Sequence, residues 1–190
     1  MYLKCSSEKS AQQQRLFEEA LKRSMCVKLF ENISISDLCR QTGLSRKTFY
    51  RLYETKADVV YAMIDHAILE AESFEPDASV TPGGMHRFFA FWKSQHVLLD
   101  ALDFNRTSAL LQQQAVVHVL REEPEVVACF GAGDSDYTQE MVMFYLSGLF
   151  ALVQDWHRRG FDRSIDQMAA LAMTLFNTPP VKEPLRNNPY

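Results

Sequence analysis

Arg46 and Lys47 follow Ser45 directly, and Thr48, Tyr50 and Lys56 come within ten residues of them. These side chains suit the edges and backbone of a nucleic-acid duplex. A guanidinium or ammonium at the start of a helix can donate to guanine O6 and N7 in the major groove. Thr48, Tyr50 and Lys56 carry one hydroxyl or ammonium apiece, the usual partners of phosphate oxygens that set register without reading sequence. Lys56 lies near the start of the next helix, within expected reach of a phosphate.

The surrounding residues are of the kind that would hold such a helix in place. Ser34 with Asp37 three residues later forms a capping-box start, in which each side chain satisfies a free backbone donor of the first turn. Ile35, Leu38 and Cys39 have the i, i+3, i+4 spacing of one apolar face, and Gly43 supplies a residue tolerant of positive φ where that helix should stop. Leu44 is an apolar plug, and Ser45 is a second N-cap. Leu44, Phe49 and Tyr53 read as packing residues. Two short helices joined by a tight turn make a helix-turn-helix, whose second helix places its N-terminal residues against base edges.

The segment LSRKTFYRLYETKADVV resembles the DNA-reading segment of TetR/AcrR-family regulators: a Ser or Thr cap, a T-F/L-Y triplet, an aromatic three residues after that Tyr and a Lys three further on. Thr48, Phe49, Tyr50, Tyr53 and Lys56 fit this pattern. The upstream KLFENISISDLCRQTGLSR is similar to the subgroup that includes relatives of dihydroxyacetone-kinase regulators. The resemblance covers about Gln12 to Ala71. It implies base reading by Arg46, Lys47 and Ser36, with Ser34, Ser45, Thr48, Tyr50 and Lys56 on phosphates. One position departs from the pattern: the family usually has His two residues after that Tyr, and here it is Leu52.

The 190 residues are 47% hydrophobic and 23% charged, an ordinary globular balance. The net charge of -4 hides a division, because residues 1–56 sum to +5 and the remainder to -9. A basic head gains affinity from phosphate contacts through counterion release, while an acidic body stays off the duplex. Cys5, Cys26, Cys39 and Cys129 form no C-x-x-C pair, which fits a reducing compartment. The first eleven residues lack the apolar core of a signal peptide, and no apolar run approaches the roughly 20 residues of a membrane span. A cytoplasmic protein with no membrane partner is expected. His66, His86, His96, His118 and His157 have no zinc-ligand spacing, and no nucleophile motif or phosphate-cradling glycine loop is present. Neither metal, cofactor nor enzymatic activity is expected.

Along the chain the spacing predicts an all-α protein. Residues 1–11 are expected to be flexible, and residues 12–56 to form a three-helix DNA-binding head whose first helix buries Phe17, Ala20, Leu21, Ser24 and Met25. Thr55 should cap a long fourth helix leading into a C-terminal bundle, residues 57–177, for ligand binding and dimerisation. Ser73 to Gly84 reads as a linker because of Pro76, Pro82, Gly83 and Gly84. Beyond it come one core helix or two short ones, a helix over Arg106 to Glu123 with its end or a kink at Pro124, and a turn over Phe130 to Asp136 in which Asp134 or Asp136 can cap.

Trp92, His96 and Tyr145 are amphipathic groups able to line a ligand cavity. Tyr137 to Arg159 is apolar on two faces and Ser164 to Asn177 on one, so the last two helices are expected to pair antiparallel and to bury their surplus against a second copy. In the resembled family these helices commonly form the dimer. Gly148, Leu152, Trp156, Ala169, Ala172 and Phe176 are the expected contacts. Residues 178–190, with four prolines, should be extended.

Two functions follow as expectations. One is a homodimeric, small-molecule-responsive regulator, by expectation a repressor, binding a pseudopalindromic double-stranded DNA operator. The other, favoured by Leu52, is a degenerate helical sensor or coactivator that binds a small molecule or a protein.

Overall fold

The computed structural model describes residues 7–74, 81–122, 127 and 137–177. Among them are nine α-helices and no strand: α1 (Glu8–Met25), α2 (Ile35–Thr42), α3 (Arg46–Leu52), α4 (Lys56–Phe74), α5 (Pro82–Ser94), α6 (His96–Phe104), α7 (Ser108–Glu122), α8 (Thr138–Arg158) and α9 (Ile165–Asn177). A single 3-10 turn, Phe30–Asn32, precedes α2. The all-α expectation holds.

The head is built on aromatic packing. Phe17 of α1 meets Phe49 of α3 edge-on at 5.2 Å between centroids and Tyr53 at 6.3 Å. Leu21, Met25, Ile33, Leu38 and Leu52 complete the buried set, and Leu44 packs against it as a partly buried plug. All five residues expected on the buried face of the first helix are buried. That helix begins earlier than expected, at Glu8. The Ser7 hydroxyl accepts the Ser10 N–H at 3.3 Å and so caps a turn that the polar run after it had concealed.

α4 is the axis between head and body. Thr55 and Asp58 cap its start reciprocally, Asp58 Oδ2 accepting the Thr55 N–H at 2.7 Å and Thr55 Oγ1 accepting the Asp58 N–H at 3.3 Å. Val59, Val60, Ala62, Met63, Ile64, Ala67 and Ile68 are all buried, because α1, α5 and α7 pack around this one helix. Both ends of the expected linker are helical. α4 continues to Phe74, and Pro82 is the first residue of α5, where its fixed φ fits and its missing N–H costs nothing. Thr81 caps that helix through the Gly84 N–H at 3.0 Å.

In the body, Trp92 packs edge-on to Phe150 at 5.1 Å and Trp156 edge-on to Phe89 at 5.8 Å. The stretch after the linker forms two helices, broken at Gln95. α7 starts at Ser108 rather than Arg106, since Arg106 takes a left-handed φ of 55° that ends α6. Gly160, with φ 68°, closes α8 as expected. The last two helices do not form the expected antiparallel pair: α8 lies mainly along α7, and α9 along α5. Four histidines tie helices together by meeting carboxylates: His66 with Glu18, His86 with Asp166, His118 with Glu72 and His157 with Asp100. The expected tail, Pro124, and Asp134 and Asp136 lie outside the described residues.

Candidate nucleic-acid interface

Reciprocal caps set the two short helices. Ser34 Oγ accepts the Asp37 N–H at 3.1 Å, and Asp37 Oδ2 accepts the Ser34 N–H at 3.2 Å and its hydroxyl at 2.6 Å. These bonds hold the Asp37 carboxyl below its ordinary range, with the Ser34 hydroxyl foremost, then the Ser34 N–H, and with Arg40 and Lys28 assisting against slight desolvation. Gly43 then turns the chain at φ 69°, which an L side chain rarely adopts. Ser45 opens α3, its Oγ accepting the Thr48 N–H at 3.1 Å and lying 3.0 Å from the Thr48 hydroxyl.

α3 is two-sided. Phe49 and Leu52 are buried, as is Tyr53 just after it, whereas Arg46, Lys47, Tyr50 and Arg51 are exposed. The Tyr50 ring, 51% exposed, lies beneath the Arg46 guanidinium at 5.9 Å, and its hydroxyl accepts from Arg46 Nη2 at 3.4 Å. A flat ring beside a flat cation restricts its rotamers without removing its charge. Among the described residues, nothing pairs with the Lys47 ammonium. Ser36 is exposed at the start of α2.

Two residues expected at phosphates have their donors engaged inside the protein. Lys56 Nζ donates to the carbonyls of Phe30 and Ile33 and sits 4.1 Å over the Phe30 ring. Its side chain therefore ties the start of α4 to the 3-10 turn rather than reaching outward, and burial draws its pKa below the ordinary lysine range against the pull of Glu31. Ser34 spends its hydroxyl proton and its N–H on Asp37. Local spacing revealed the Ser34–Asp37 cap, but not the two carbonyls that the fold supplies to Lys56.

The expected ligand-cavity residues do not converge. Trp92 is buried in the aromatic core, His96 is exposed at the start of α6, and Tyr145 is stacked on Phe176 at 4.7 Å. The expected dimer contacts divide as well. Trp156, Ala169 and Ala172 are buried within one chain, because α9 uses its small residues to approach α5 and Trp156 donates its indole N–H to the Arg163 carbonyl at 3.1 Å. Leu152 and Phe176 are half-buried, and Gly148 is exposed.

Sequence reasoning missed Arg51, whose Nη2 donates to Gln13 Oε1 at 2.5 Å and fastens α3 to α1. It also missed Asn105, which joins body to head and leaves no local signature. No group of three or more His, Cys, Asp and Glu among the described residues could hold a metal ion, and none of their helices is long and apolar enough to cross a membrane.

No curated protein matches the chain. Residues 31–65, from the 3-10 turn to the middle of α4, match the family model of the Cro/C1-type HTH DNA-binding domain. The segment containing the capped pair α2 and α3 is thus a helix-turn-helix DNA-binding domain, the DNA-reading part of a transcription regulator.

Proposed function

We propose that this chain is a homodimeric transcription regulator of the TetR kind, a repressor rather than an enzyme, acting in the cytoplasm on a pseudopalindromic operator. The observation that carries the proposal is the two-sided α3: Arg46 and Lys47 stand exposed on its first turn while Phe49 and Leu52 anchor its other side. Arg46, Lys47 and Ser36 are assigned to base edges, and Ser45, Thr48 and Tyr50 to phosphates. Support for the TetR kind comes from the Thr48, Phe49, Tyr50, Tyr53 and Lys56 pattern and from a head followed by a long α4 and a helical body.

A second copy is proposed to cover the outer side of α8. Phe144 is 74% exposed there and Met143 46%, with Gly148 and Ala151 continuing the strip. A two-fold pair would present two α3 helices to half-sites about 34–36 Å apart, and a small-molecule effector in the body would change that separation. Leu52, which speaks for a degenerate sensor, is a core residue here.

The test is fluorescence anisotropy with labelled DNA from the protein's own upstream region, against random competitor. Arg46→Ala should weaken specific binding by about 1–3 kcal/mol and relax one base position. If no fragment is preferred over the competitor, the proposal fails.

A further inference from the structure

The three arginines of α2 and α3 are held in different ways. Arg40 Nη2 meets the Asp37 carboxylate at 2.5 Å, and Arg51 Nη2 donates to Gln13 Oε1 at 2.5 Å on the side toward α1. Arg46 instead takes a neutral aromatic partner one helical turn ahead. The Tyr50 ring centroid lies 5.9 Å from its guanidinium carbon, and the Tyr50 hydroxyl 3.4 Å from its Nη2. A carboxylate would offset the charge that a base edge needs, whereas a phenol leaves it in place.

Tyr50 is itself braced. Its ring stands edge-on to Phe49 at 5.5 Å between centroids, and buried Phe49 packs edge-on against Phe17 at 5.2 Å. A line of rings therefore runs from the core of the head to an exposed guanidinium. One N–H of that group goes to the Tyr50 oxygen; a guanidinium has five, so the two that guanine O6 and N7 require remain. The hydroxyl accepts from Arg46 through a lone pair, which keeps its own proton for a phosphate oxygen. A long side chain loses rotamer freedom when it binds, and a brace that removes part of this freedom beforehand favours the bound pose.

We infer that Tyr50 sets base selectivity through Arg46, its ring and hydroxyl together holding the guanidinium ready for a guanine. Tyr50 is thus a positioning residue for the reader as well as a phosphate contact. The inference rests on the regulator reading above and deepens it.

Anisotropy with the preferred upstream fragment, and with versions carrying each other base at the position that Arg46→Ala relaxes, tests it. Wild type should prefer guanine there. Tyr50→Ala should cut that preference about three- to tenfold, the worth of one side chain's rotamer freedom. Tyr50→Phe, which retains the ring, should cut it less, and in an Arg46→Ala background Tyr50→Ala should leave the base ratios unchanged. Each ratio compares two DNAs on one protein sample, so a smaller folded fraction cancels from it. The inference is overturned if Arg46→Ala relaxes no guanine position, or if Tyr50→Ala weakens every sequence alike and keeps the wild-type ratio. It is also overturned if Tyr50→Phe does no better than Tyr50→Ala, or if the effect of Tyr50→Ala persists without Arg46. Each of these results leaves a preferred fragment, and with it the regulator reading, intact; a chain that prefers no fragment loses both.

Discussion

Asn105 Oδ1 accepts the backbone N–H of Phe30 at 2.5 Å, across 75 residues of chain. The same amide donates to the carbonyls of Met25 and Ala101, both at 2.8 Å, so one side chain at the end of α6 holds the end of α1 and the approach to α2. Lys56 grips the opposite side of that residue through the Phe30 carbonyl. The Phe30 peptide is therefore clamped between body and head. Asn105→Ala would leave the Phe30 N–H and the Met25 carbonyl without this partner, and should lower stability by about 1–3 kcal/mol in urea denaturation. Amide exchange around residues 26–34 should accelerate more than in α8; equal acceleration would show that the latch is not specific to the head.

Lys56 offers a choice between clamp and phosphate contact. With its ammonium turned onto two carbonyls, Lys56→Met should destabilise the head by about 1–3 kcal/mol, because both carbonyls lose this donor, that of Phe30 keeping the Ile33 N–H at 3.2 Å. The slope of log affinity against log salt, measured below the melting transition, should stay at the wild-type value. A slope shallower by about one unit would instead count Lys56 among the phosphate contacts.

Leu52 occupies the position where the resembled family has His, and it is only 3% exposed. Its methyl groups fill the space beneath α3, so Leu52→Ala should cost about 2–5 kcal/mol. Leu52→His would place a polar ring among apolar neighbours and should also lower the melting temperature, with no gain in DNA affinity. Tighter binding by this variant, with a steeper salt slope, would mean that the position can face the backbone.

A Cβ added at exposed Gly148 meets no atom within 4 Å, so the side chain of Gly148→Glu starts there without a clash. It should even favour the helix by about 0.5–1 kcal/mol, Gly being the poorer helix former. Sedimentation velocity should then report a folded monomer in place of a dimer. A dimer that persists would place the interface away from the outer side of α8.

The Ser34 and Asp37 cap has a defined pH dependence. Asp37 titrates below its ordinary value when folded, chiefly through the Ser34 hydroxyl bond, so its ionised form stabilises the fold. That contribution is complete above the unfolded value of about 3.9 and is lost as pH falls through the lower folded one. The stability difference between wild type and Asp37→Asn should therefore be constant from about pH 7 to 5 and shrink below about pH 4. A difference that grows on acidification would contradict the cap.

Whatever depends on neighbours a few residues apart was readable from the sequence. Ser34 with Asp37, Gly43, and Ser45 before Arg46 specify α2, the turn and α3, because caps and left-handed turns are closed by bonds within one turn of chain. The apolar spacing of α1 and α4 was legible for the same reason. The sequence could not say which of two apolar faces on α8 would be used, since periodicity shows that a face is greasy but not what covers it; packing along α7 and α5 decided that. It also could not decide the partners of Lys56, Trp156 and Asn105. Each bonds to a carbonyl or N–H brought near by the fold, and a hydrogen-bonding group with a free choice in the unfolded chain takes the partner that burial leaves it.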